Sequence, residues 1–217
     1  MKRCSNTNLK KILDLAVTKG FLTDKASNTG ISHSKGFLFS EENHIFLNNL
    51  KTTDLAIDLG TGGGLPGLIL SSLTDCLWLL VDRSKKRCSF LNKAVNELDL
   101  TNRVEVVECS AEELSDNSYR EKVKLVTARG FATPSITSEC AAPLLREDGL
   151  FVVSEPPYIN KTEVEKRWPV EGLSLLGLKH KNYWHTGLAG YRSFFPESHC
   201  PDVYPRKFKK ILQNPLF

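Results

Sequence analysis

Asp58-Leu59-Gly60-Thr61-Gly62-Gly63-Gly64-Leu65-Pro66-Gly67 follows directly on the apolar run Leu55-Ala56-Ile57. This stretch reads as a buried strand, a glycine turn and a helix that starts at Pro66, where a missing N–H costs nothing. Glycine has no Cβ, so the backbone of such a turn can approach a ligand closely. In α/β proteins that arrangement holds a nucleotide-like group at the carboxyl ends of parallel strands.

Gly62-x-Gly64-x-x-Gly67 alone also fits a nicotinamide site. Asp58, two residues before the first glycine, points elsewhere. A strand-end carboxylate can face the cationic amino group of S-adenosylmethionine, whereas dinucleotide sites are usually apolar there. Leu77–Val81 forms a second apolar strand ending in Asp82, roughly 20 residues after the glycines, where an acid can accept from ribose hydroxyls in either kind of site. The lysine of a phosphate-binding loop is absent, because Leu68-Ile69 follow Gly67.

Outward from this centre, strands and helices alternate. The pattern predicts strands over 55–59, 77–82, 103–108, 123–128 and 150–154, with helices over 66–73, 84–98 and 135–145 and a short one near 111–115. That alternation implies a mainly parallel sheet with helices on both faces. Before it, Leu9, Ile12, Leu13, Ala16 and Val17 recur at helical spacing, and a helix capped by Ser40 is expected to carry Ile45, Leu47 and Leu50. Residues 22–38 show no period. After the sheet come a helix around 161–167 and two aromatic-rich segments, 179–186 and 190–196, that suit an antiparallel pair. The last dozen residues read as irregular. One domain is expected: a helical extension over 1–52, a Rossmann-like core over 53–200 and a basic tail over 201–217.

Composition sets bounds. The chain has 217 residues, 41% hydrophobic and 25% charged, as in an ordinary globular domain. It has no apolar run long enough to cross a membrane and no apolar leader, so a cytoplasmic location is expected. Six scattered cysteines without a C-x-x-C pair, and five histidines without ligand spacing, give no expectation of a metal or of a nucleophilic triad. The net charge of +4 does not demand nucleic acid, but two clusters can meet phosphates: Lys85-Lys86-Arg87, and Arg206, Lys207, Lys209 and Lys210. Each reads equally as a solvated basic face. Ser110-Ala111-Glu112-Glu113, after the third strand, can read an adenine edge through the backbone or simply cap a helix. Arg129 ends the fourth strand, where a guanidinium enters the cleft of such a sheet; the plainer reading is a surface ion pair. Glu155-Pro156-Pro157-Tyr158 reads as a strand terminator.

Together, Asp58–Gly67, Asn92–Leu98 with Leu100-Thr101-Asn102, Ser110–Glu112, Thr127–Ala132 and Pro143–Gly149 resemble the GidB/RsmG family across residues 40–155. The endings Tyr204-Pro205-Arg206-Lys207 and Asn214-Pro215-Leu216-Phe217 are similar too. The resemblance implies a class I S-adenosylmethionine-dependent methyltransferase fold and methyl transfer to guanine N7 of small-subunit ribosomal RNA. It places Gly60 and Leu65 at the cofactor, Asp82 at the ribose, Ala111 and Glu112 at the adenine, and Arg129 in the cleft; with Asp58 and Gly62 from the turn itself these are the expected cofactor-binding residues, and Arg129 is also the expected catalytic one. The ribosomal RNA or small subunit is the implied partner. The chain departs from the family in three ways. Ser154-Glu155-Pro156 stands where the family has Leu-Lys-Gly, His44 is one position off, and the family's N-terminal segment is missing. A relative that binds RNA without transferring methyl, a methyltransferase with another substrate and a nicotinamide oxidoreductase remain the alternatives.

Overall fold

The computed structural model describes residues 4–38, 50–115, 119–156 and 161–217. Its seven-stranded sheet has the order β3-β2-β1-β4-β5-β7-β6. The strands are β1 Leu55–Leu59, β2 Leu77–Asp82, β3 Val104–Glu108, β4 Val123–Ala128, β5 Leu145–Glu155, β6 Leu178–His185 and β7 Gly190–Pro196. The pairs β1–β2, β1–β4, β2–β3 and β4–β5 are parallel, whereas β7 runs antiparallel to both β5 and β6.

The apolar strands are buried on both faces, because successive side chains point to opposite sides. Ala56, Trp78, Leu80, Leu125, Leu150 and Val152 pack into one cluster. Ile57, Leu79, Val81, Val126, Phe151 and Val153 pack into the other. Helices α1 Asn6–Thr18, α2 Asp24–Gly36, α3 Gly67–Leu73 and α4 Lys85–Glu97 cover the first face. Helices α5 Pro134–Ala141 and α7 Val170–Ser174 cover the second, with α6 Lys161–Arg167 preceding α7. Among the described residues, no helix is long and apolar enough to cross a membrane, and the six cysteines are all unpaired.

The structure corrects several expectations. Residues 22–38, read as aperiodic, hold α2. Thr23 caps it by accepting from the Ala26 N–H, and its buried face is made of Ser27, Gly30, His33, Ser34 and Gly36. Those small side chains allow close packing (a Cβ on Gly36 would stand 2.2 Å from the Tyr191 hydroxyl), so no hydrophobic period marks the helix. The helix expected over 135–145 ends at Ala141 and continues as a 3-10 turn, Ala142–Leu144. Glu147-Asp148-Gly149 lies inside β5, where the register against β4 slips between Val123 and Leu125. The ending is not irregular: α8 Phe208–Gln213 forms there. Pro66 is the residue before α3 rather than its first, and is joined to Leu65 by a cis peptide. The helix expected after Ser40, with His44, and the Pro157-Tyr158 part of the loop lie outside the described residues.

Candidate cofactor site and the cleft beside it

The turn after β1 folds back onto the tip of β2. Thr61 N–H donates to the Val81 carbonyl at 3.0 Å, and Gly62 N–H donates to Asp82 Oδ2 at 3.0 Å. Gly60 has φ +66°, and a Cβ there would lie 2.4 Å from Phe131 Cδ2, so only glycine suits both the backbone and the ring. Gly67 meets a different need. A Cβ on it would lie 2.6 Å from Asp58 Cβ, and its absence lets the Gly67 N–H reach Asp58 Oδ2 at 2.9 Å.

Asp58 is fully buried, and its Oδ1 accepts from Thr127 Oγ1 at 2.8 Å. Burial pushes its carboxyl up to about 6, against the opposing influence of the nearby Thr61 hydroxyl, the hydrogen bonds from Thr127 and Gly67 and the charge of Arg129. This carboxylate joins β1, β4 and the start of α3 within the protein, and it does not line the cavity described next. The Leu65 side chain is likewise a core element, packed where a Cβ on Gly30 of α2 would approach it to 2.9 Å.

A cavity of about 260 Å³ opens at the carboxyl ends of β1, β2 and β3. Gly60, Asp82, Ser110, Ala111 and Glu112 line it, with Arg83, Arg87, Cys109, Phe131 and Ile136. Asp82 Oδ1 accepts from Ser84 N–H at 2.9 Å, and Arg87 stands 3.5 Å from Oδ2. Oδ2 already accepts from both Gly62 N–H and Arg87, whereas Oδ1 keeps a second lone pair for a ribose hydroxyl. Ser110 N–H donates to Glu113 Oε2 at 3.0 Å, so this segment is both a helix cap and a cavity wall. A polar floor with a carboxylate and an apolar roof fits a nucleoside that carries vicinal hydroxyls and a flat base.

That roof was not legible in the sequence. Phe208 and Leu212 of α8 close the cavity. The tail is fastened by Arg206, whose backbone N–H and Nε donate to Glu139 Oε1 at 2.9 and 2.7 Å while Nη2 donates to Oε2 at 2.6 Å. Leu216 and Phe217 N–H groups donate to Ser135 Oγ. Arg206 is therefore turned inward and leaves the expected phosphate cluster, whereas Lys207, Lys209 and Lys210 are exposed. The other expected cluster is partly engaged through Arg87, while Lys85 and Lys86 stay exposed beside Lys19, Phe21 and Lys93.

Arg129 lines a second cavity, of about 310 Å³, at the tips of β4 and β5. Gly130, Phe131 and Ala132 form a wall common to both cavities. Arg129 Nη1 is buried without a hydrogen-bond partner among the described residues. Burial lowers the guanidinium's affinity for its proton, opposed by Tyr191 and Asp58. His33 of α2, also in this wall, is pushed down to about 4 by burial and then by the charge of Arg129, which leaves it neutral at physiological pH. Glu155 at the end of β5 is buried and bonded to Arg167 Nε, at 3.0 Å, and to Trp168 Nε1.

With this geometry in place, the family model described as "rRNA small subunit methyltransferase G" matches residues 42–182. The chain belongs to this family. The protein named ribosomal RNA small subunit methyltransferase G from Lactobacillus helveticus is 33% identical over 196 residues, covering 78% of this chain and 80% of its own. The protein of the same name from Carboxydothermus hydrogenoformans is 35% identical over 164 residues, covering 71% and 68%. Among solved structures, an O-methyltransferase from Bacillus cereus in complex with S-adenosylhomocysteine superposes with a TM-score of 0.61 at 12% identity, over 88% of this chain and 91% of that one. A putative rRNA-methylase from Clostridium thermocellum gives 0.53 at 18% identity, over 73% and 95%. The fold is that of the class I methyltransferases, and S-adenosylmethionine is the methyl donor of this family member.

Proposed function

We propose that this protein transfers a methyl group from S-adenosylmethionine to N7 of a guanine in small-subunit ribosomal RNA, in the cytoplasm. The observation that carries the reading is the pair of cavities separated by Gly130–Ala132: one is suited to a nucleoside, and the other is lined by arginine and wide enough for a flat base. Gly60 and Asp82 hold the ribose side of the cofactor, with Gly62 bracing Asp82 through its N–H, and Ser110–Glu112 with Phe208 and Leu212 hold its base. Asp58 acts from within, by fixing the turn and the start of α3.

When bound, the cofactor supplies an electrophilic methyl on a positively charged sulfur. Guanine N7 offers an in-plane lone pair and carries no proton, so no side chain has to act as base. The positive charge passes from sulfur to the methylated base and no proton leaves. The neutral His33 and the internally bonded Asp58 agree with a site that needs no base. What the chain supplies is alignment, which can contribute roughly 7–11 kcal/mol. Arg129 neutralises either an RNA phosphate or the methionine carboxylate. It does not grip N7, which would block the attacking lone pair.

The test is incubation of the purified protein with labelled S-adenosylmethionine and small ribosomal subunits from a strain lacking the gene, followed by mapping of the modified base. Label at guanine N7 is expected, with turnover reduced at least tenfold in Arg129→Ala. Absence of label, or label on an exocyclic amine, would overturn the reading. Glu155 in the place of the family's lysine is the feature that favours the rival, an RNA-binding relative without transfer. Pairing of that carboxylate with Arg167 and Trp168 weighs against it.

A further inference from the structure

The second cavity contains more cationic chemistry than Arg129. Arg167, the last residue of α6, lines it and keeps 37% of its side chain exposed. Its Nε is held at 3.0 Å by Glu155 Oε2, and the Glu155 side chain is entirely covered. Glu155 Oε1 accepts from Trp168 Nε1, and the Trp168 ring packs 4.7 Å from that of Phe194. The carboxylate is thus a fixed post at the end of β5, and it grips the guanidinium by one corner only. Among the described residues, no acceptor is bonded to the two Nη groups. Arg129 Nη1, in the same cavity, is also without a partner, and so is the Nδ1 of His33, a side chain 8% exposed.

The lining holds two arginines and one enclosed carboxylate, and His33 is neutral, so it carries a net positive charge. An arginine fixed through Nε presents its remaining donors as a flat fork, a shape that matches the oxygens of a phosphodiester. A lysine in its place would be a point charge on a flexible stem.

We propose that Arg167 binds an RNA phosphodiester next to the target base, and that Glu155 is the positioning residue that orients it. This rests on the RNA-methylating reading above. The anion that stands where the family has a lysine then serves as the support of a cation. His33 and Trp168 complete the pocket beside it.

The experiment compares full-length wild type with Arg167→Ala, Arg167→Lys and the double variant Glu155→Gln/Arg167→Met. The double variant removes both charges together, so no buried carboxylate is left unpaired. Binding to small subunits is measured across a salt series, S-adenosylhomocysteine binding by calorimetry, and transfer as KM and kcat. Arg167→Ala and the double variant are expected to raise KM for subunits at least tenfold. The slope of log affinity against log salt should fall by about 0.7, as for one single-stranded phosphate contact. Cofactor affinity should stay within twofold. Arg167→Lys should recover the salt slope but not the full affinity. An unchanged slope and KM in the double variant overturns the proposal. So does a parallel loss of cofactor affinity, which would mark a merely structural role. The salt series reads binding without transfer. Subunits bound in the expected way but not methylated would therefore sink the proposed activity and leave this contact standing, whereas failure to bind subunits at all would sink both.

Discussion

Removal of the Arg206 clamp tests whether the tail is part of the cofactor site. Glu139 is fully covered and Arg206 nearly so, at 0% and 11% side-chain exposure. Breaking a buried pair by deleting one partner costs about 3–5 kcal/mol, because the other charge is stranded. Other attachments of the tail include the buried Ile211, at about 1.5–3 kcal/mol, two hydrogen bonds to Ser135, at about 1 kcal/mol each, the packing of Tyr204, Leu216 and Phe217 against the core, and the bonds from Arg120 to the Tyr204 and Cys200 carbonyls. Arg206 is the anchor nearest α8, two residues before its start, and moving that helix is the shortest way to let water reach the stranded Glu139. The economical response is local: α8 lifts away, Glu139 hydrates, and the sheet stays folded. The cavity then loses Phe208 and Leu212. S-adenosylhomocysteine should bind at least tenfold more weakly by calorimetry, a loss of about 1.4 kcal/mol. Limited trypsin digestion should cut faster at Lys207, Lys209 and Lys210. Rapid cleavage with unchanged affinity would show that the tail is not a wall of the cofactor site; unchanged cleavage would show that Arg206 is not what fastens it.

Three further outcomes follow from the turn. Gly60→Ala forces a side chain into a left-handed conformation, at about 1–2 kcal/mol, and pushes on the Phe131 ring, so it should lower urea stability and cofactor affinity together; wild-type values of both would contradict the geometry. Asp82→Asn puts an amide donor against Gly62 N–H or Ser84 N–H and should weaken S-adenosylhomocysteine binding at least tenfold, with no gain of NAD binding in a parallel titration. Asp58 titrates near 6 in the fold, against about 3.9 unfolded. The fold therefore takes up this proton more tightly than the unfolded chain does. That contribution to stability is complete below about pH 4 and is lost as pH rises through 6. The urea stability of wild type minus that of Asp58→Asn should fall across that window, and a flat difference would reject the raised value.

The centre of the sheet was legible because its signals are local. Leu55–Leu59 and Leu77–Asp82 are apolar runs that end in acids, and glycines punctuate the turn between them. Even the late pair β6 and β7 showed in its aromatic run and flanking glycines. Elements held by distant contacts were not legible. Helix α2 buries Gly30, Ser34 and Gly36 instead of large apolar residues, so it leaves no period to read. Helix α8 is six residues long and depends on a glutamate 67 positions away from Arg206. The site shows the same division. Asp82 and Ser110–Glu112 reach the cavity from strand ends, as spacing suggested. Asp58 and Leu65 turn inward, and Phe208, Leu212, Trp168 and Arg167 arrive from segments whose sequence names no ligand.

Strand β7 hydrogen-bonds between β5 and β6, although β6 precedes it in the chain. During synthesis β6 therefore emerges without a neighbour and must wait for its successor, carrying Tyr183 and Trp184 in the open. Until Gly190–Pro196 threads into the gap, β5 also keeps an unpaired border of N–H and C=O groups, a template for joining another chain. The most adhesive moment in the life of this protein is thus set by strand order, and a break in the chain after Thr186 would make it permanent.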